Sequence, residues 1–135
     1  SHEGRTEDVE QYTDPAAARE FVAATEVDAL AVSIGTVHGL YKGTPHIRTD
    51  ILADIHRAVD VPLVLHGGSG TGDENLRRAV REGITKLNVY TDFLVGAIEE
   101  IKAAGTDSLI EVQRASDEGM RRVLTHYINL ISKTT

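Results

Sequence analysis

Three short apolar runs, each followed by a helical pattern, constrain this chain more than any other feature. The runs are Asp28–Ile34, Val61–Leu65 and Ile84–Val89. Each is too short for a buried helix and lacks the alternation of a half-exposed strand, so each reads as a strand covered on both faces. The stretches between them repeat apolar residues at helical spacing, as in Ile51, Leu52, Ile55 and Val59. Asp14-Pro15 marks a helix start, with Asp as N-cap and Pro in the first turn, and that helix runs to about Thr25. Further helices are expected from about Asp50, from Asp73 to Val80 with Gly83 as its C-terminal cap, from about Thr91 to Ala104, and from Asp107 to Ser132.

Alternation of this kind builds right-handed strand–helix–strand units around a parallel sheet. Three doubly covered strands make a poor sheet alone, so the sheet should continue beyond them. A (β/α)8 barrel takes about 250 residues. The expected fold is therefore α/β: the C-terminal half of a TIM barrel, closed by an extra C-terminal helix. On this reading residues 1–135 belong to one barrel domain. Residues 1–13 form a mobile loop, and residues 14–135 supply the last three strands and their helices.

In a barrel all strand C-termini lie on the face that carries the active site. The first strand runs into Gly35-Thr36-Val37-His38-Gly39, the second into His66-Gly67-Gly68-Ser69-Gly70, and the third into Asn88-Val89-Tyr90-Thr91-Asp92. Gly67, Gly68 and Gly70 allow close backbone approach, and successive outward amides make an anion nest. Ser69 adds a hydroxyl, and Thr91 with the amides of the following helix adds a second donor set. A phosphate site is the functional reading; a tight strand-to-helix turn is the plainer one. His38 and His66 sit on adjacent strand ends, where two imidazoles can converge on a metal or act as hydrogen-bonding groups without one. A catalytic zinc takes three protein ligands, so a third must come from elsewhere. His2, His46, His56 and His126 read as ordinary solvated or packed histidines.

Composition narrows the classes further. The formal charge of −7 argues against nucleic-acid and membrane-surface binding, though not against a small anion held by local donors. No apolar run approaches the roughly 20 residues of a membrane span. Cys is absent, which excludes disulfides and thiolate metal sites and fits a reducing cytoplasm. Aromatics are only 4%, so the core must be aliphatic.

The residues that carry chemistry also carry a resemblance. Ala31-Val32-Ser33-Ile34-Gly35-Thr36-Val37-His38-Gly39-Leu40-Tyr41-Lys42-Gly43, Val61-Pro62-Leu63-Val64-Leu65-His66-Gly67-Gly68-Ser69-Gly70 and Lys86-Leu87-Asn88-Val89-Tyr90-Thr91-Asp92 resemble, in order and spacing, three segments of the class II ketose-bisphosphate aldolases. The resemblance implies that His38 and His66 are zinc ligands. It implies that Gly39, Lys42, Gly67, Gly68, Ser69, Asn88, Tyr90 and Thr91 contact the substrate or its phosphate. A monovalent cation, K+ or Na+, is implied near the carbonyls of Gly39 and Gly67.

The implied reaction is reversible cleavage of a ketose 1,6-bisphosphate or 1-phosphate to dihydroxyacetone phosphate and an aldehyde. Zinc polarises the ketose carbonyl and stabilises the enediolate, and an acidic residue on the loop before the first strand moves the proton. Gly4-Arg5-Thr6-Glu7-Asp8 matches that loop in letters, while Glu3 matches better by distance to Asp14-Pro15. The family's third zinc histidine belongs to the first half of the barrel. This chain alone should thus be inactive, with the N-terminal half of the barrel as its partner and a homodimer or homotetramer as the assembly. Tyr90 departs from the acidic or small residue common there and points to a sugar other than fructose or tagatose bisphosphate. The competing expectations are a non-catalytic phosphosugar-binding or regulatory subunit and a metal-free phosphosugar isomerase.

Overall fold

The computed structural model describes residues 12–36 and 46–132. Its elements run α1 (Pro15–Thr25), β1 (Leu30–Val32), α2 (Thr49–Ala58), β2 (Leu63–Leu65), α3 (Asp73–Arg81), β3 (Ile84–Leu87), α4 (Thr91–Ala104) and α5 (Leu109–Ser132). The order matches the alternation read from the sequence. Asp14 caps α1 as expected, its carboxylate accepting the Ala17 N–H at 2.9 Å. Gly83 follows α3 with φ +116° and donates to the Val80 carbonyl, so it ends that helix in the expected way.

The strands form one parallel sheet in the order β1-β2-β3. Leu30, Val32, Leu63, Leu65, Ile84 and Leu87 join a single aliphatic cluster with Ala18 of α1, Leu52 and Ile55 of α2, Leu76 and Ala79 of α3, and Tyr127 and Leu130 of α5. The helices therefore cover one face of the sheet. Ala31, Val64 and Lys86 are register partners on the opposite face. Ala31 and Lys86 are exposed there, and Val64, though buried, stays outside the cluster.

Among the described residues the strands are thus covered on one face, in keeping with the expectation that the sheet continues beyond them. Only β2 is buried throughout, because it lies between two neighbours. β1 and β3 are edges, and no element covers their second face among the described residues. The pairing of β2 with β3 also skips Thr85, whose hydroxyl donates to the Leu63 carbonyl at 3.1 Å.

Candidate functional site

The sheet geometry sets the site. Side chains alternate along a strand, so Ser33, His66 and Asn88 continue the uncovered face of Ala31, Val64 and Lys86. Parallel pairing brings the three strand ends to one rim. On that rim the Lys86 ammonium donates to Asn88 Oδ1 at 2.6 Å. The Asn88 amide nitrogen then lies 3.2 Å from His66 Nδ1. Lys86 thus orients Asn88, and Asn88 helps to hold the His66 ring on the rim. The sequence reading placed His66 and Asn88 near each other but did not find this relay.

Two segments that lie mostly outside the described residues are anchored on the same rim. Glu3 and Glu7 lie outside the described residues, but Tyr12 and Thr13 sit at the end of β1. The Thr13 N–H donates to the Ser33 carbonyl at 2.9 Å, and the Ser33 N–H donates to the Thr13 hydroxyl at 2.8 Å. His38, Gly39 and Lys42 also lie outside the described residues, between Thr36 and His46. Their flanks meet: a Cβ on Gly35 would stand 2.4 Å from the His46 carbonyl oxygen, and the Arg48 N–H donates to the Ile34 carbonyl at 2.9 Å. Arg48 also lies 5.4 Å over the Tyr12 ring and forks onto Asp50 at 2.8 and 2.6 Å. That hydrogen bond holds the Asp50 carboxyl down at about 2.

After β2 the chain turns through the glycine loop. Gly67 and Gly70 take φ of +67° and +71°. Gly68 lies close to its neighbours: a Cβ there would stand 2.5 Å from Leu87 Cδ1 and 3.0 Å from the Asn88 carbonyl oxygen. Thr71, fully buried, donates its hydroxyl to the Gly67 carbonyl at 3.0 Å and closes the turn.

The loop's donors differ from the expected nest. Gly68 N–H donates to the Asn88 carbonyl at 3.0 Å, and Gly70 N–H donates to Asp92 Oδ2 at 3.2 Å. Ser69 is buried, and its oxygen accepts the N–H groups of Tyr90 at 3.2 Å and Asp92 at 3.1 Å. It acts as the N-terminal cap of α4, which no residue of its own provides. The loop satisfies these donors internally. The Ser69 hydroxyl still has its own proton to give. Thr91 opens α4 beside the loop, and the ring of Tyr90 is exposed.

Asp92 was read from the sequence only as the last residue of the rim segment after β3, with no role of its own, and Tyr127 was missed. Tyr127 of α5 donates to Asp92 Oδ2 at 2.6 Å. Burial, and then the Asp92 carboxylate, push the Tyr127 phenol well above its usual range. An acid in the first turn of a helix is the one sequence signal for Asp92; nothing local marks Tyr127. A cavity of about 530 Å³ lies behind the loop between α3, α4 and α5, bordered by Gly70, Asp92 and Tyr127. His66 is not among its lining residues; it sits exposed on the open rim.

His66 suits a metal by donor chemistry: an exposed imidazole on the open rim, its Nδ1 within hydrogen-bond distance of the Asn88 amide. Among the described residues no group of three His, Cys, Asp or Glu is gathered to hold a metal ion. No helix among them is long and apolar enough to cross a membrane.

Known proteins share this fold. The sequence pattern of the family described as fructose-bisphosphate aldolase class-II matches residues 1–135. The crystal structure of the YdjI aldolase from Escherichia coli K12 superimposes with a TM-score of 0.82 at 35% identity, over 89% of this chain and 46% of that one. Two structures show the shared fold at lower identity. Fructose-bisphosphate aldolase from Campylobacter jejuni gives a TM-score of 0.68 at 19% identity, over 88% of this chain and 45% of its own. A protein from Coccidioides immitis, solved as a candidate fructose-1,6-biphosphate aldolase, gives 0.73 at 23% identity, over 91% and 44%. The chain spans less than half the length of each and matches part of their barrel. On its sequence pattern, its partial parallel barrel and its likeness to solved aldolases, this chain belongs to the class II fructose-bisphosphate aldolase family.

Proposed function

We propose that the protein containing this chain carries out zinc-dependent, reversible aldol cleavage of a ketose 1,6-bisphosphate or ketose 1-phosphate, releasing dihydroxyacetone phosphate and an aldehyde. One observation carries the reading. In a chain of this family, the anchors of the His38 segment, His66 with its Asn88 relay, and the glycine loop share one rim of a parallel sheet. His38 and His66 would hold the zinc, with a third ligand from the rest of the barrel. Zinc bound there supplies Lewis-acid polarisation of the ketose carbonyl.

The chain's own residues do the remainder. Asn88, within hydrogen-bond distance of the His66 ring, helps to hold that ring on the rim. Ser69, Thr91, Gly67, Gly68, Gly39 and Lys42 hold the phosphorylated substrate. The segment leading to Tyr12 and Thr13 carries Glu7 and Glu3, one of which moves the proton. A K+ or Na+ ion belongs to the same proposal, using the Gly39 carbonyl and the second lone pair of the Gly67 carbonyl. Tyr90 presents an exposed ring beside the loop, and the proposal leaves the sugar open to one other than fructose or tagatose bisphosphate. A cytoplasmic homodimer or homotetramer is part of the proposal.

The test is cleavage of fructose and tagatose 1,6-bisphosphates by the complete polypeptide, before chelation, after it, and after zinc return. Release of dihydroxyacetone phosphate that disappears on chelation and returns with zinc is expected. Bound zinc without cleavage of either sugar moves the substrate elsewhere, with Tyr90 the residue to exchange first. Neither zinc nor cleavage leaves the non-catalytic phosphosugar-binding subunit as the surviving reading.

A further inference from the structure

We propose that Tyr127 is a positioning residue for the anion site: its hydroxyl holds Asp92, and Asp92 holds the glycine loop. The inference rests on the reading of that loop as the phosphate site. Tyr127 Oη donates to Asp92 Oδ2 at 2.6 Å, and the same oxygen accepts the Gly70 N–H at 3.2 Å. Three elements therefore meet at one carboxylate oxygen: α5, the first turn of α4, and the turn after β2. The neighbouring bonds run in the opposite sense. Ser69 Oγ accepts the N–H groups of Tyr90 and Asp92. The loop and α4 are thus joined side chain to backbone in both directions, and α5 braces the joint from behind.

A carboxylate beside an anion site needs such a brace. At the start of a helix it is drawn to the same N–H groups that would receive a phosphate, and its charge opposes the phosphate. Packing does not hold Asp92 in place, because the cavity of about 530 Å³ opens on it from between α3, α4 and α5. The hydrogen bond from Tyr127 does. Tyr127 is itself only 8% exposed and belongs to the aliphatic cluster, so its hydroxyl is delivered by a rigid part of the molecule. Burial and the Asp92 carboxylate keep that phenol protonated, hence a donor, through the ordinary pH range.

The experiment uses the complete zinc-loaded polypeptide with Tyr127→Phe, Asp92→Asn and the double substitution. Phe keeps the ring and removes only the donor. Two quantities are read: KM and kcat for the phosphorylated substrate cleaved, and the Kd of inorganic phosphate by direct titration. For Tyr127→Phe, KM and phosphate Kd should rise together by about tenfold, the size of losing one hydrogen bond to a charged group, with kcat little changed. In the Asp92→Asn background the same substitution should change phosphate Kd by less than about twofold, because the brace has nothing left to hold. Unchanged KM and phosphate Kd with a lowered Tm would overturn the proposal and leave Tyr127 a packing residue. So would an effect on phosphate Kd that persists in full without Asp92. Wild-type protein that binds no phosphate removes the anion-site reading itself, and this inference with it.

Discussion

At the residue scale, side chains at this site act mainly by fixing one another. Lys86 turns Asn88, and Asn88 helps to hold the His66 ring. Ser69 shows the same economy. Sequence reasoning expected its hydroxyl to face a phosphate, and its oxygen also supplies a shared acceptor for two amides at the start of α4. Ser69→Ala would leave both amides without that acceptor in a half-buried place. Loss of such a cap costs about 1–2 kcal/mol. We expect a loss of unfolding free energy of that size for the complete polypeptide, read from its denaturation curve, together with weaker phosphate binding. Unchanged stability would show that water or the loop replaces the cap.

At the element scale, the contact between α4 and α5 is the feature that the sequence left unmarked. Both helices were expected, α4 with its bounds and α5 starting two residues early. Their crossing rests on two glycines that show no special φ. A Cβ on Gly119 would stand 2.1 Å from the Gly96 carbonyl oxygen, so the backbones nearly touch. Gly119→Ala would ordinarily favour a helix interior by up to about 1 kcal/mol. Here the clash dominates, because overpacking costs about 1–3 kcal/mol and the neighbour is backbone that cannot rotate away. We expect net destabilisation, read as a lower Tm. Because α5 carries Tyr127, weaker phosphate binding should accompany it. A rise in Tm would mean that the helices part without loss.

At the scale of the whole molecule, the sheet presents one finished face and one unfinished face. The helices and the aliphatic cluster complete the first, while Ala31, Ser33, Val64, His66, Lys86 and Asn88 line the second. The chain spans 46% of the length of the YdjI aldolase that it matches, and the proposed zinc takes a third ligand from the rest of the barrel. The isolated 135-residue chain should therefore fail to cleave sugar bisphosphates when zinc is added, and the complete polypeptide should succeed. Equal turnover by both would show that every needed ligand is within this chain. Much of this was legible in the amino-acid order. Strand and helix identity follow from local apolar spacing, the α1 cap from Asp14-Pro15, and the rim residues from their place just after apolar runs. What tertiary structure alone decided was partnership across distance. The amides of Gly68 and Gly70 went to Asn88 and Asp92, the hydroxyl of Tyr127 crossed 35 positions to Asp92, and two helices met at Gly96 and Gly119. Local sequence dictates dihedral preference and which face is apolar, whereas a buried donor's choice of acceptor depends on which segments packing brings within about 3 Å.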